Sequence, residues 1–194
     1  MAVYQFLDFI PVIHPTAFVH PQANVTGDVI IGPHCYIGPG AVLRGDWGRI
    51  VLEEGVNVQE NCVVHMFPKT ETRLKKMAHM GHGAIIHGGT LGENVLIGMN
   101  AVVMDNVEVG DGCIVGALAF VPQNTVLPAR SIFVGNPGKV VKAVSDEMLA
   151  WKTEGTELYM KLAEQCHSTL KEVTPLEAVE HNRPNHEGTY QTHK

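Results

Sequence analysis

The chain has 194 residues, of which 45% are hydrophobic, 18% charged and 6% aromatic, with a formal net charge of −6. A charged fraction below the roughly 25% of ordinary soluble domains argues against a disordered chain, and the acidic balance argues against a nucleic-acid-binding surface. No run approaches the roughly 18 apolar residues of a membrane span and no basic, apolar leader opens the chain, so a cytoplasmic protein is expected, with neither nucleic acid nor membrane as partner.

Residues 1–13 read as a lead-in. From 14 to 143 the pattern is a repeat of six: Val25, Ile31, Ile37 and Leu43 fall on one period, and Ile97, Val103, Val109, Val115, Val121 and Leu127 on another. Strands need period two, so a period of six satisfies them only if the chain turns regularly and points the same kind of side chain inward after each turn. The pattern predicts an all-β fold, a parallel β-helix. Glycine follows the aliphatic residue at Gly32, Gly38, Gly98, Gly110 and Gly116, where a Cβ would clash. Cys35, Cys62, Cys113 and Cys166 form no C-x-x-C pair and read as reduced, small hydrophobes.

The repeat breaks in places. After Leu43 the register resumes one residue late, at Ile50 and Val56; residues 66–79 hold a proline and several charges and read as a loop ejected from the coil; a second slip separates Ile86 from Leu91. From 144 to 173 the apolar spacing of Met148, Leu149, Leu158, Leu162, Cys166 and Leu170 is helical. Ser145, Asp146 and Glu147 form a helix start, and Gly155 is expected to kink or divide the helix. This segment is expected to cap the open end of the coil or to pack along its side. Residues 174–194 read as an extended or disordered tail whose His181, His186 and His193 are solvated.

Four of the 11 histidines, His65, His79, His82 and His87, fall within 23 residues. Three imidazoles suffice for a catalytic zinc, which keeps one position open. His82 and His87 are five apart, one less than the repeat, so they point along different faces and one chain cannot easily bring both to one ion. A threefold assembly in which each ion takes ligands from two chains closes the geometry.

The set R-G-D at 44–46, N-V-Q-E-N-C-V-V-H at 57–65 and G-H-G-A-I-I-H-G at 81–88 resembles the gamma-class carbonic anhydrases, and the hexads resemble the left-handed β-helix family. The resemblance implies a homotrimer with Zn2+, or another divalent ion such as Fe2+ or Co2+, bound by His65 and His87 of one subunit and His82 of the next. It further implies Arg44 and Asp46 in an intersubunit ion pair, and Gln59, with Asn57, beside the metal-bound water. The stretches A-W-K-T-E-G-T-E-L-Y and C-H-S-T-L-K-E-V-T-P-L are similar to the phenylacetate-degradation and carnitine-operon branch of that superfamily, in which Tyr159 matches a helix tyrosine reaching toward the metal pocket. That branch implies a metal-dependent acyl-CoA thioesterase of phenylacetate degradation, acting through a metal-bound hydroxide. The alternatives are CO2 hydration and, without metal, CoA-dependent acyl transfer by a histidine base. Trp47 after Asp46, and lysines at 69, 75 and 76, depart from the acidic proton shuttle of the archaeal carbonic anhydrases. His79 is left outside the ligand set and is expected to matter little.

Overall fold

Each hexad is built as a short strand followed by a corner. In Leu96–Ile97, Val102–Val103 and Glu108–Val109 the second residue is buried and the first is not. At the corners the backbone passes through the left-handed region, which asparagine tolerates better than most residues: Asn61, Asn94, Asn100, Asn106 and Asn124 have φ between 53° and 64°. Three hexads close a coil, so Ile97 lies beside Val115, and Val103 beside Val121, eighteen residues on. Stacking these coils produces the left-handed parallel β-helix of this computed structural model, which describes residues 2–185. The aliphatic ladder of the sequence is its core: Val25, Ile31, Ile37, Leu43, Ile97, Val103 and Val115 are all essentially inaccessible.

Close approach between coils explains the glycines. A Cβ on Gly98 would lie 2.4 Å from the Ala117 backbone nitrogen, and one on Gly110 would lie 2.4 Å from that of Ala129. Cys35, Cys62 and Cys113 are buried in the same stack with each thiol directed at a backbone carbonyl; burial pushes the first two up to about 12 and about 11.

The slips mark coils of unequal length. Leu43 pairs with Val64, 21 residues on, Val64 with Ile86, 22 on, and Ile86 with Val103, only 17 on. Part of the surplus sits in the strand Val42–Leu52, where Gly45 to Ile50 lies opposite the much shorter Gly27 to Val29. The rest requires a correction of the predicted loop: 66–79 is not ejected. Glu71–Leu74 is a strand bonded between Val42–Leu52 and Gly89–Leu91, and only 67–70 turns outward. Its charges hid a period of two, with Thr72 and Leu74 buried while Glu71 and Arg73 face out, Arg73 reaching Glu71 at 2.9 Å and Glu53 at 3.2 Å.

The lead-in supplies the wall of the first coil, since Ala2–Tyr4 and Val12–Ile13 both pair in parallel with Asn24–Ile31. At the other end Ser131–Gly135 turns back antiparallel onto Gly138–Ala143. The helix Asp146–Thr169 follows, its first turn capped by Ser145, which accepts from the Met148 amide at 3.2 Å. It runs unbroken through Gly155, which does not divide it. It packs along the side of the β-helix, with Tyr159, Leu162, Ala163 and Cys166 against Phe18 and Tyr36. Residues 174–185 have no helix or strand and are exposed, whereas His186, His193 and the rest of the expected tail lie outside the described residues. No described helix is long and apolar enough to cross a membrane.

Candidate functional site

The structure divides the expected site residues between two faces of one chain. Arg44, Asp46, His65 and His87 gather on the first. Parallel pairing of Val63–His65 with Ile85–His87 sets His65 directly beside His87, and the long strand that carries the surplus residues brings Arg44 and Asp46 against them. His65 Nε2 lies 3.0 Å from Asp46 Oδ1, and His87 Nδ1 lies 2.9 Å from Asp105 Oδ1. Asp105, 6% exposed, was not singled out by the sequence, where a lone aspartate in a regular hexad looks like a corner residue.

These carboxylates fix the imidazoles. Each carboxylate accepts an N–H, which assigns the proton to His65 Nε2 and His87 Nδ1 and leaves His65 Nδ1 and His87 Nε2 with unshared pairs. Those two nitrogens face each other at 3.3 Å. Two unshared pairs aimed at one another in this way need a positive group between or beside them, a proton or a cation. Arg44 supplies one within the chain, its guanidinium lying 3.2 Å from His65 Nδ1, and it also approaches Asp46 at 3.7 Å. In the single chain Arg44 and Asp46 thus meet each other and His65. Burial holds His65 below its ordinary value, opposed by the Asp46 hydrogen bond and assisted by the Arg44 charge. Trp47 and Phe67 flank the pair, with ring centroids 5.2 Å from His65 and 5.0 Å from His87.

The donor set fits a zinc-like ion. Zn–N bonds of about 2.0–2.1 Å at a tetrahedral centre place ligand nitrogens about 3.3 Å apart, which is the spacing seen here, and a carboxylate behind each imidazole is the usual support of a metal-bound histidine. His82 does not join them: among the described residues, no three metal-ligating side chains of a single chain are grouped to hold an ion.

His82, Asn57, Gln59 and Tyr159 belong to the second face, under the helix. His82 Nδ1 bonds Glu60 at 2.5 Å, and Glu60 also accepts from the Tyr36 hydroxyl at 3.1 Å. His82, Gln59 and Tyr159 line a cavity of about 430 Å³ between the helix and the β-helix. Gln59, 2% exposed, donates to Asn57 Oδ1 at 3.1 Å and to His79 Nε2 at 2.6 Å. Both of its N–H groups are thereby used, and Oε1 is left to accept. His79 Nδ1 then donates to Thr156 Oγ1 at 3.3 Å, tying the helix to Gln59. Burial, with the Lys152 charge adding to it, pushes His79 down to about 3, so it is neutral and stays an acceptor for Gln59. The resemblance left His79 outside the ligand set; the structure makes it the partner of a site residue. Tyr159 packs edge-on to His79, ring centroids 5.3 Å apart, and burial pushes it up to about 12.

Comparison with known proteins agrees with this architecture. A model of the bacterial transferase hexapeptide (six repeats) matches residues 10–45 and 88–123. The carnitine operon protein CaiE of Escherichia coli O7:K1 is 45% identical over 189 residues, covering 97% of this chain and 96% of its own. The crystal structure of a hexapeptide transferase family protein from Anaplasma phagocytophilum superposes with a TM-score of 0.81 at 31% identity, over 84% of this chain and 96% of that one. A Bacillus cereus protein provisionally described as an acetyltransferase gives 0.85 at 28% identity, over 86% and 97%. The chain belongs to the hexapeptide-repeat family. Within that family it is similar over nearly its whole length to the carnitine operon proteins CaiE.

Proposed function

We propose that the chain is a metal-dependent acyl-CoA thioesterase acting as a homotrimer, with His65 and His87 of one subunit and His82 of the next holding a divalent ion such as zinc. One observation carries this reading. Among the described histidines, those three are the ones whose ring nitrogens bond a carboxylate within 3.5 Å, Asp46, Asp105 and Glu60 respectively, which turns the other nitrogen of each away from the carboxylate as a lone-pair donor, although in the single chain Arg44 lies 3.2 Å from that of His65. The remaining histidines with side-chain hydrogen bonds use hydroxyl, amide or backbone groups instead.

A divalent ion there would supply a Lewis acid for the thioester carbonyl and make water a nucleophile near neutral pH. The chain's own residues do the rest. Asp46, Asp105 and Glu60 fix which nitrogen of each imidazole is unprotonated. Gln59, locked by Asn57 and His79, offers Oε1 to accept the proton-bearing side of an attacking water and so orients it. Trp47 and Phe67 cover the His65 and His87 pair with apolar surface, which disfavours the fast proton export that CO2 hydration needs. Expected results are one divalent ion per chain by elemental analysis, and hydrolysis of aryl- or short-acyl-CoA esters that is lost on chelation and restored by zinc. Full activity in metal-free protein, or robust CO2 hydration with no turnover of a panel of CoA thioesters, defeats the proposal.

A second reading has its own support. His82 with Glu60 behind it forms a base dyad at the mouth of an apolar cavity, as metal-free CoA-dependent acyl transfer would require, and the solved hexapeptide transferase is similar over most of the chain. Acyl transfer to an amine acceptor that survives chelation selects this reading over hydrolysis.

A further inference from the structure

Gly155 stands in the middle of an unbroken helix, where glycine is the least favourable residue other than proline. It does not divide the helix; it lines the cavity between the helix and the β-helix, and a side chain there would occupy that space. Leu96, Met99, Trp151 and Leu158 give the cavity apolar walls. Two of the wall residues capable of carrying charge, Lys152 and His79, have their nitrogens engaged. Lys152 Nζ donates to Met77 O at 2.6 Å and Asn94 Oδ1 at 2.7 Å, and His79 is committed to Gln59 and Thr156. Polar atoms not used within the chain remain at His82 Nε2, the nitrogen the reading above gives to the ion, at Gln59 Oε1 and at the Tyr159 hydroxyl. The volume of about 430 Å³ equals the share of about 14 waters, room for an acyl group of about ten non-hydrogen atoms.

We infer that this cavity receives the acyl part of the substrate, an aryl or branched apolar group, with its carbonyl at the His82 and Gln59 end and the phosphate-bearing CoA outside. The inference rests on the acyl-CoA reading above and adds the substrate class. A glycine in the helix leaves the room, and apolar walls without a free charge reject a polar or ionic acyl group.

Gly155→Leu fills the cavity while improving helix propensity. It is expected to lower kcat/KM for an aryl-CoA ester by about tenfold or more while acetyl-CoA changes by less than about twofold. Calorimetric binding of a non-hydrolysable phenacyl thioether of CoA should weaken by about tenfold as well. Ala117→Leu, which fills the same cavity from the β-helix side, must reproduce the split and serves in its place if Gly155→Leu melts early by circular dichroism. Equal loss on both esters, or no loss on either, overturns the inference. If the wild type hydrolyses no CoA ester yet binds the thioether, and Gly155→Leu does not bind it, the pocket stands and the hydrolase reading falls.

Discussion

Asp105→Asn isolates the support that a carboxylate gives to a metal-binding imidazole. Asp105 is 6% exposed and lies 2.9 Å from His87 Nδ1, so its charge is spent on holding that proton and aiming Nε2 at His65. Asparagine keeps the volume but either accepts as a neutral group, roughly half as strongly, or turns its amide to donate, which forces the proton onto Nε2. The second outcome removes the lone pair that faces His65 across 3.3 Å. Loss of such a supporting carboxylate costs about 10- to 100-fold in metal affinity or activity, equivalent to about 1.4 to 2.8 kcal/mol. Competition with a chromophoric chelator should show weaker zinc binding by that factor, and kcat/KM on a CoA thioester should fall in parallel while circular dichroism stays that of the wild type. Unchanged affinity and unchanged kcat/KM in a folded Asp105→Asn protein would refute the assignment of His87 as a supported ligand.

The other predictions concern assembly, acid and packing. Mixed trimers of His82→Ala and His87→Ala chains, each inactive alone, should regain activity, because some interfaces then receive His82 from one chain and His65 with His87 from another; no recovery after proven subunit exchange speaks against shared sites. Burial places the folded His79 at about 3, below its unfolded value of about 6.5, so the unfolded chain takes the proton first. Stability should be intact above about pH 6.5 and fall on acidification toward pH 3, by at most about 1.4 kcal/mol per pH unit from this group. Urea titrations should find a shallower acid slope in His79→Gln, and equal slopes would count against a buried neutral His79. Leu74→Ala should cost about 2–5 kcal/mol and Arg73→Ala much less; a near-neutral Leu74→Ala would restore the ejected loop.

Sequence alone determined the repeat and hence the core. A side chain that must point inward every six residues leaves no other architecture, and Val25 to Leu127 are buried where the period puts them. It also drew attention to four histidines, because imidazoles crowded into one window stand out against the composition, and the family resemblance chose three of them. Glu71–Leu74 escaped because its outward charges masked an inward Thr72 and Leu74, and two buried residues are too few to set a period against so many charges. Asp105, Glu60 and His79 escaped for a different reason. Each acts on a partner from a neighbouring coil, 18 to 22 residues away, and which residues meet there depends on coil lengths of 17, 21 or 22 that no local pattern displays. The tertiary structure decided the tautomers of the histidines, the locked orientation of Gln59 and the space left by Gly155, because all three are set by contacts between stacked coils and a helix laid across them.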